Sequence, residues 1–142
     1  GDMTVDGNFV YNTGKYGDSG NNSPDGIRIG NERAAYVGDD PTPGVYNVTV
    51  TNNICVNTRG GITSFAYGDG QGFFLARSHI VNNTVVSSHE YAGLWIHGDS
   101  VAVINNLIAD CPTPFFFEPV TVSFSSSWST FSSALIFSFW PF

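Results

Sequence analysis

Three residues whose side chains can bind an anion, stack on a ring or accept a proton lie in short apolar segments that begin with glycine. Arg28 lies in the segment 26–30, and Trp95 and His97 lie in the segment 93–98. An arginine binds a carboxylate or sulfate group through two parallel hydrogen bonds, and an indole ring stacks on an apolar surface. A histidine can accept a proton near neutral pH. Together these residue types could bind a ligand that carries acidic groups beside an apolar face, and the histidine could act as a general base.

A structural role is open for each of the same residues. Trp95 and Phe65 can be covered by loops as part of a small secondary core, and His97 can be a surface histidine without a catalytic role. His79 and His89 form no metal-binding spacing, and no Gly-x-Ser-x-Gly segment supplies a nucleophile. The histidines therefore do not define an enzyme class.

The composition disfavours several classes of protein. The chain has 5 Lys+Arg and 12 Asp+Glu residues, and its net charge of −7 opposes binding to nucleic acid. The sequence has no run of 18 or more apolar residues, so it does not predict an ordinary membrane span. Its low share of charged residues, 12%, and its 16 glycines disfavour a helical bundle. The few lysines and cysteines and the many Asn, Ser and Thr residues resemble the composition of secreted proteins that associate with polysaccharides. We therefore expect an extracellular or cell-surface location.

A repeat organises most of the chain. The pattern apolar-x-x-Asn-x-apolar occurs four times, with steps of 45, 30 and 23 residues between the asparagines. Glycine followed by a short apolar strand comes after three of the copies, at 26–30, 61–65 and 93–98, and a degenerate form comes after the last, at 114–117. Repeats of this length predict stacked turns of chain. The repeat asparagines are Asn8, Asn53, Asn83 and Asn106.

Each repeat is expected to form a strand, a tight turn, a second strand, a variable loop and a third strand. Asparagine suits the tight turn because it tolerates left-handed backbone angles. When such coils stack, equivalent asparagines lie about 4.8 Å apart and can hydrogen-bond to one another in a ladder. We therefore predict a structural role for the four repeat asparagines.

The order of elements in residues 93–108 resembles the right-handed parallel β-helix family, the pectate-lyase-like fold. The resemblance covers residues 3 to about 111 and implies an all-β solenoid of about four coils. The family includes polysaccharide lyases, glycoside hydrolases, esterases, viral tailspikes and surface proteins without enzymatic activity. It therefore specifies the fold more closely than the function.

The resemblance implies that the glycine-led strands and their flanking loops form a polysaccharide groove. Side chains along these strands alternate between the coil interior and solvent. With the aliphatic residues inward, two outward columns are predicted: Arg28, Thr63 and Trp95, and Gly30, Phe65 and His97. The residues predicted to bind substrate are Trp95, Phe65, Arg28 and Tyr67.

The resemblance also implies a reaction, β-elimination, in which a basic residue removes the C5 proton of a uronate and Ca²⁺ often neutralises its carboxylate. The candidate catalytic residues are His97, Arg28 and Arg77, with Arg59 as a further arginine. Ca²⁺ needs several oxygen ligands, and the candidate ligands are the loop carboxylates Asp39, Asp40 and Asp69. Their spacing matches no metal motif, so solvated turn carboxylates are the alternative.

The two ends of the sequence differ in character. The chain begins almost within a strand, and four coils need caps, so a fragment of a longer β-helix is expected. Residues 1–111 are predicted to form the coils. Residues 112–142 form a Phe/Ser-rich tail, in which the last thirty residues hold 8 of the 12 Phe and a single charged residue, Glu118. This tail is open to three interpretations: capping strands, a non-native extension, or a segment that inserts into a membrane or partner.

Cys55 and Cys111 are predicted to lie two coils apart in register. That spacing, about 9.6 Å, is too long for a disulfide, so we expect both to be free thiols.

The sequence thus predicts a secreted β-helix protein that binds an extended polysaccharide, with cleavage by a lyase or glycoside hydrolase mechanism left open. The alternative is a non-catalytic surface, adhesion or assembly module. In that case stacked coils associate end to end or with further coils of a parent chain.

Overall fold

A computed structural model describes residues 2–13, 25–30, 45–64, 75–118, 122–125 and 128–130. Regular structure in these residues consists of β-strands, as the sequence predicts. In chain order the strands are β1 (Met3–Asp6), β2 (Phe9–Tyr11), β3 (Ile27–Arg28), β4 (Val45–Tyr46), β5 (Val48–Thr51), β6 (Ile54–Val56), β7 (Ile62–Ser64), β8 (Leu75–Val81), β9 (Thr84–Val86), β10 (Ala92–Ile104), β11 (Leu107–Ala109), β12 (Thr113–Glu118), β13 (Val122–Ser125) and β14 (Trp128–Thr130).

The strands pair in parallel to form three sheets that curl around a shared core. Sheet A contains β1, β5, β8, residues 98–104 of β10 and β13, with β4 paired to the start of β8. Sheet B contains β2, β6, β9, β11 and β14. Sheet C contains β3, β7, residues 92–97 of β10 and β12. The chain therefore visits sheets A, B and C in the same order in each repeat.

The core is formed by aliphatic side chains that alternate with outward ones along each strand. In sheet B, Cys55, Val85 and Ile108 lie in register with one another and are fully buried. In sheet A, Ile80 lies in register with Val103 and is equally buried. Complete burial of such a side chain contributes about 1.5–3 kcal/mol.

The four repeat asparagines form a continuous hydrogen-bonded ladder. Nδ2 of Asn8 donates to Oδ1 of Asn53, Asn53 donates to Asn83, and Asn83 donates to Asn106, each at 2.9 Å. The acceptor oxygens of Asn53, Asn83 and Asn106 also bind the backbone N–H of the preceding asparagine in the ladder. These three residues are fully buried or nearly so. The ladder therefore satisfies polar groups that would otherwise be costly to bury.

The corners between sheets are made by residues with left-handed backbone angles. Between sheets A and B these are Gly7, Asn52, Asn82 and Asn105, with φ values of 66°, 55°, 55° and 50°. After sheet B they are Asn12, Asn57, Ser87 and Asp110. Short polar residues dominate both sets because their side chains can hydrogen-bond locally in this conformation.

Glycine lets sheet C approach sheet B closely. Gly26, Gly61 and Gly93 occupy equivalent positions at the start of the sheet C strands. A Cβ atom on Gly61 would lie 2.1 Å from the carbonyl oxygen of Gly93 and 2.4 Å from Cγ1 of Val85. The narrow cross-section of the core therefore requires glycine at this position.

The described part of the Phe/Ser-rich tail continues the three sheets. β12 pairs with β10 in sheet C, and Phe115 and Phe117 pack against the core. β13 adds a strand to sheet A, and β14 adds a strand to sheet B. Among the described residues, no helix has the length and apolar character needed to cross a membrane.

The predicted register of the two cysteines is wrong, although both are free and buried. Cys55 aligns with Val85 in sheet B, whereas Cys111 lies beside Ser88, whose backbone N–H donates to Sγ at 3.3 Å. Cys111 follows β11 by two residues and so occupies the inner side of the next corner. Burial raises the pKa of the Cys55 thiol to about 12, so this thiol is protonated at neutral pH.

Candidate functional site

The outer face of sheet C aligns one residue from each of four strands. Arg28 pairs in register with Thr63, Thr63 with Trp95, and Trp95 with Phe116. The neighbouring inward residues Ile62, Leu94 and Ile96 are fully buried, so the aligned residues face outward. The predicted column of Arg28, Thr63 and Trp95 is therefore present, and Phe116 extends it. We call these four residues the sheet C column.

Trp95 is the centre of an aromatic cluster formed with Tyr91 and Phe116. The Trp95 ring centroid lies 5.6 Å from that of Tyr91 and 5.1 Å from that of Phe116, with interplanar angles of 67° and 75°. These edge-to-face contacts hold the rings in fixed orientations. Phe116 is 45% exposed. The cluster therefore presents an ordered apolar surface to solvent.

Arg59 places a positive charge beside the aromatic cluster. Its Nε atom forms a salt bridge with Glu90, and its Nη2 atom donates to the Tyr91 hydroxyl at 3.0 Å. The guanidinium carbon lies 4.7 Å from the Tyr91 ring centroid. These contacts orient the guanidinium group along the flank of sheet C.

A buried carboxyl group covers the middle of the column. Asp25 is only 8% exposed, and its Oδ2 atom accepts a hydrogen bond from the Thr63 hydroxyl at 2.7 Å. Its Oδ1 atom is also buried, and within the described part of the chain it has no hydrogen-bond partner. Thr63 was predicted to face solvent in the outward column, but it is fully buried because the Asp25 carboxyl group lies over it.

Burial raises the pKa of Asp25. Three groups oppose this effect, namely the hydrogen bond from Thr63 and the charges of Arg28 and Arg59, but desolvation is the largest cause. The folded protein therefore favours the protonated form of this carboxyl group more than the unfolded chain does.

We expect the substitution Asp25→Asn to remove a pH-dependent loss of stability. A raised folded pKa means that the contribution of Asp25 is complete below about pH 4 and is lost as the pH rises through the folded pKa. Asparagine does not ionise, and it keeps an oxygen that can accept from Thr63. Urea unfolding between about pH 3 and pH 8 should show the variant gaining free energy of unfolding relative to wild type as the pH rises. Asp110→Asn, at an exposed corner, is the matched control. A variant that loses stability relative to wild type over this range would contradict the assignment.

His97 and Arg77, two of the proposed catalytic residues, occupy different places. His97 follows Trp95 by two residues on β10 and pairs in register with Glu118 of β12. Arg77 is an exposed residue of β8 with a left-handed φ of 49°, and its guanidinium carbon is 5.2 Å from the Tyr46 ring centroid. The structure therefore places Arg28 and His97 in sheet C, whereas Arg77 lies in sheet A.

The other predicted site residues lie outside the described residues. They are Phe65 and Tyr67, predicted to bind substrate, and Asp39, Asp40 and Asp69, predicted to bind Ca²⁺. In the part of the chain that the structure describes, no group of three or more His, Cys, Asp or Glu side chains could hold a metal ion.

Asp25 and Tyr91 were not predicted from the sequence. Both come shortly before a glycine-led strand. A polar or aromatic residue just before such a strand could therefore have identified them as site residues in the sequence. The double glycine of the second repeat was a further signal, because a Cβ atom on Gly60 would lie 2.7 Å from Oδ1 of Asp25. Gly60 thus leaves room for the buried carboxyl group.

Comparisons of the chain with protein-family models, with curated proteins and with solved structures find no match.

Proposed function

We propose that the protein is a secreted right-handed parallel β-helix of the pectate-lyase-like type, and that it binds an extended acidic polysaccharide along the outer face of sheet C. The proposal is carried by the aromatic cluster of Tyr91, Trp95 and Phe116, which lies beside Arg59. The three parallel sheets and the asparagine ladder support the β-helix part of the proposal.

The aromatic cluster supplies a surface for a sugar ring. The C–H groups on the face of a pyranose ring form an apolar patch, which packs favourably on an ordered aromatic surface. Phe116 is the most exposed member of the cluster, and Trp95 is held between its two neighbours. The cluster can therefore orient a sugar without first having to order its own side chains.

Two arginines lie on this face, and the charge of Arg59 is partly balanced by its salt bridge with Glu90. Arg28 is two strands away from Trp95 in the same column, a separation of about 9.6 Å at the usual strand spacing. Arg59 contacts the Tyr91 hydroxyl at the edge of the cluster. A glycan that crosses the strands can thus stack one ring on the cluster while neighbouring acidic groups reach the guanidinium groups.

Trp95→Ala is expected to weaken binding of a soluble polyuronate about tenfold or more. The substitution removes the central ring and the two edge-to-face contacts that orient Tyr91 and Phe116. Affinity electrophoresis in pectin or alginate gels, followed by calorimetry on defined oligouronates, measures the change. His79→Ala, exposed on the outer face of sheet A, is the matched control. Unchanged affinity in the Trp95 variant, with retained folding, would refute the proposed groove.

Cleavage is tested separately from binding. β-Elimination produces unsaturated uronides that absorb in the ultraviolet, so a panel of pectin, alginate and glycosaminoglycans can be assayed with Ca²⁺ and again with a chelator. A chelator-sensitive product would assign a metal-assisted lyase reaction and direct attention to the loop carboxylates. Binding without product would assign a non-catalytic glycan-binding module.

A second candidate function is assembly through the coil ends. β1, β2 and β3 are the terminal strands of their sheets at one end of the described structure. Exposed edge strands are templates for further strand pairing. Sedimentation velocity over a range of protein concentrations tests for such end-to-end association.

A further inference from the structure

The outer face of sheet B is an exposed apolar surface that the proposed function does not use. Its outward side chains come from the first and third positions of β2, β6, β9 and β11, and the central residues of those strands face the core. We call this surface the sheet B platform. It consists of Phe9, Tyr11, Ile54, Val56, Thr84, Val86, Leu107 and Ala109.

The platform has large exposed side chains and no charge. Phe9 is 67% exposed, Tyr11 58%, Leu107 42% and Ile54 41%. None of its eight side chains is ionised at neutral pH, although the chain carries a net charge of −7. Contiguous exposed apolar side chains of this kind often mark a binding surface.

Two aromatic rings lie side by side at one end of the platform. The centroids of Phe9 and Tyr11 are 6.3 Å apart, and their planes differ by only 17°. Both residues belong to β2, and Val10 between them packs against the core. The two rings therefore stand on a fixed strand and share nearly the same orientation.

Rows of polar side chains border the platform on both sides. Towards sheet A the row contains Asn82 and Asn105, whose side chains hydrogen-bond at 2.7 Å. Towards sheet C it contains Ser87 and Asp110, which hydrogen-bond at 2.8 Å. Asn52 also belongs to the row towards sheet A, and Asn12 and Asn57 also belong to the row towards sheet C. Equivalent residues recur at the strand spacing of about 4.8 Å, so amide groups line the border towards sheet A, and amide, hydroxyl and carboxylate groups line the border towards sheet C.

We propose that the sheet B platform binds a neutral, flat polysaccharide ribbon of the β-1,4-linked type. Such a ribbon has apolar C–H faces and carries its hydroxyl groups along its two edges. Its face matches the uncharged aromatic and aliphatic surface, and its edges match the polar rows. This site is separate from the acidic-glycan site proposed on sheet C and does not depend on it.

Other occupants fit the platform less well. Four strands of three residues cover an area of about 10 by 19 Å, or roughly 200 Å². A stable dimer buries about 800 Å² on each partner, so a second copy would be held weakly. An anionic lipid surface is disfavoured by the net charge of −7 and by the carboxylates of Asp6 and Asp110 near the borders.

The test is sedimentation of the protein with insoluble polysaccharides. Microcrystalline cellulose, chitin and insoluble β-mannan are the probes, and the double variant Phe9→Ala/Tyr11→Ala removes both rings from exposed positions. We expect the wild type to cosediment with at least one probe, and the double variant to bind it about tenfold more weakly. His79→Ala on the outer face of sheet A is the control.

Trp95→Ala separates this inference from the sheet C proposal. It should leave cosedimentation unchanged, whereas the double variant should leave binding of soluble polyuronates unchanged. Equal cosedimentation of the wild type and a folded double variant, or no cosedimentation of the wild type, would overturn the inference. A wild-type dimer that the double substitution dissociates would also overturn it, because the occupant would then be a second copy.

Discussion

Gly61→Ala is expected to destabilise the protein by about 3 kcal/mol or more. The added Cβ atom would lie 2.1 Å from the carbonyl oxygen of Gly93 and 2.4 Å from Cγ1 of Val85. One of these atoms is backbone in the adjacent strand, and the other is a fully buried side chain in sheet B. Neither can move without disturbing pairing in sheet C or packing across the core.

The measurement is the free energy of unfolding from urea titration, followed by circular dichroism. Gly7→Asn is the matched control, because Gly7 has φ of 66° and a Cβ atom there would contact nothing within 4 Å. Asparagine already occupies the equivalent corner in the other repeats, so this change should alter stability by no more than about 0.5 kcal/mol. A Gly61 variant as stable as the Gly7 variant would show that sheets B and C are not packed as closely as described.

The second large effect is expected for Asn83→Ala, at roughly 3–5 kcal/mol. Oδ1 of Asn83 accepts from both the backbone and the side chain of Asn53, and Nδ2 donates to Oδ1 of Asn106 and to the carbonyl oxygen of Val50. Alanine would leave the buried backbone N–H of Asn53 without its acceptor and would remove one hydrogen bond each from Nδ2 of Asn53, Oδ1 of Asn106 and the carbonyl oxygen of Val50. Each buried group that loses its hydrogen bond costs about 1–3 kcal/mol, less what local relaxation recovers.

Asn8→Ala provides a graded comparison within the same ladder. Asn8 is exposed and lies at the end of the ladder. Its side-chain Nδ2 atom donates to Oδ1 of Asn53 and to the carbonyl oxygen of Asp6. Its loss should cost about 1 kcal/mol. Similar losses for the Asn8 and Asn83 variants would mean that burial does not set the contribution of the ladder.

The repeat architecture could be predicted because its signals are local and recur. The asparagine of each repeat sits at a fixed distance from the flanking apolar residues, and the aliphatic residues after each repeat glycine face inward, as Ile62 and Leu94 do. Alternation along a strand then set the outward column, in which Arg28, Thr63 and Trp95 align. The all-β class and parallel pairing followed from the same pattern.

The parts that were missed depend on contacts between repeats of different length. The carboxyl group of Asp25 reaches Thr63, 38 residues further along the chain, and Arg59 reaches Tyr91, 32 residues away. Nothing in the local pattern of either residue identifies its partner. The cysteine register failed for a related reason, since counting repeats placed Cys111 in the column of Cys55 although it lies two residues beyond the end of β11.

The differences in repeat length are confined to the chain on either side of sheet C. Between sheets A and B the linker is always two residues, as in Asn52-Asn53 and Asn82-Asn83. Between sheets B and C it ranges from fifteen residues before β3 to three residues before β12. Loops of different length can thus be inserted on either side of sheet C without changing the asparagine ladder. The surface beside sheet C can therefore vary from one repeat to the next while the two-residue corners and the ladder stay the same.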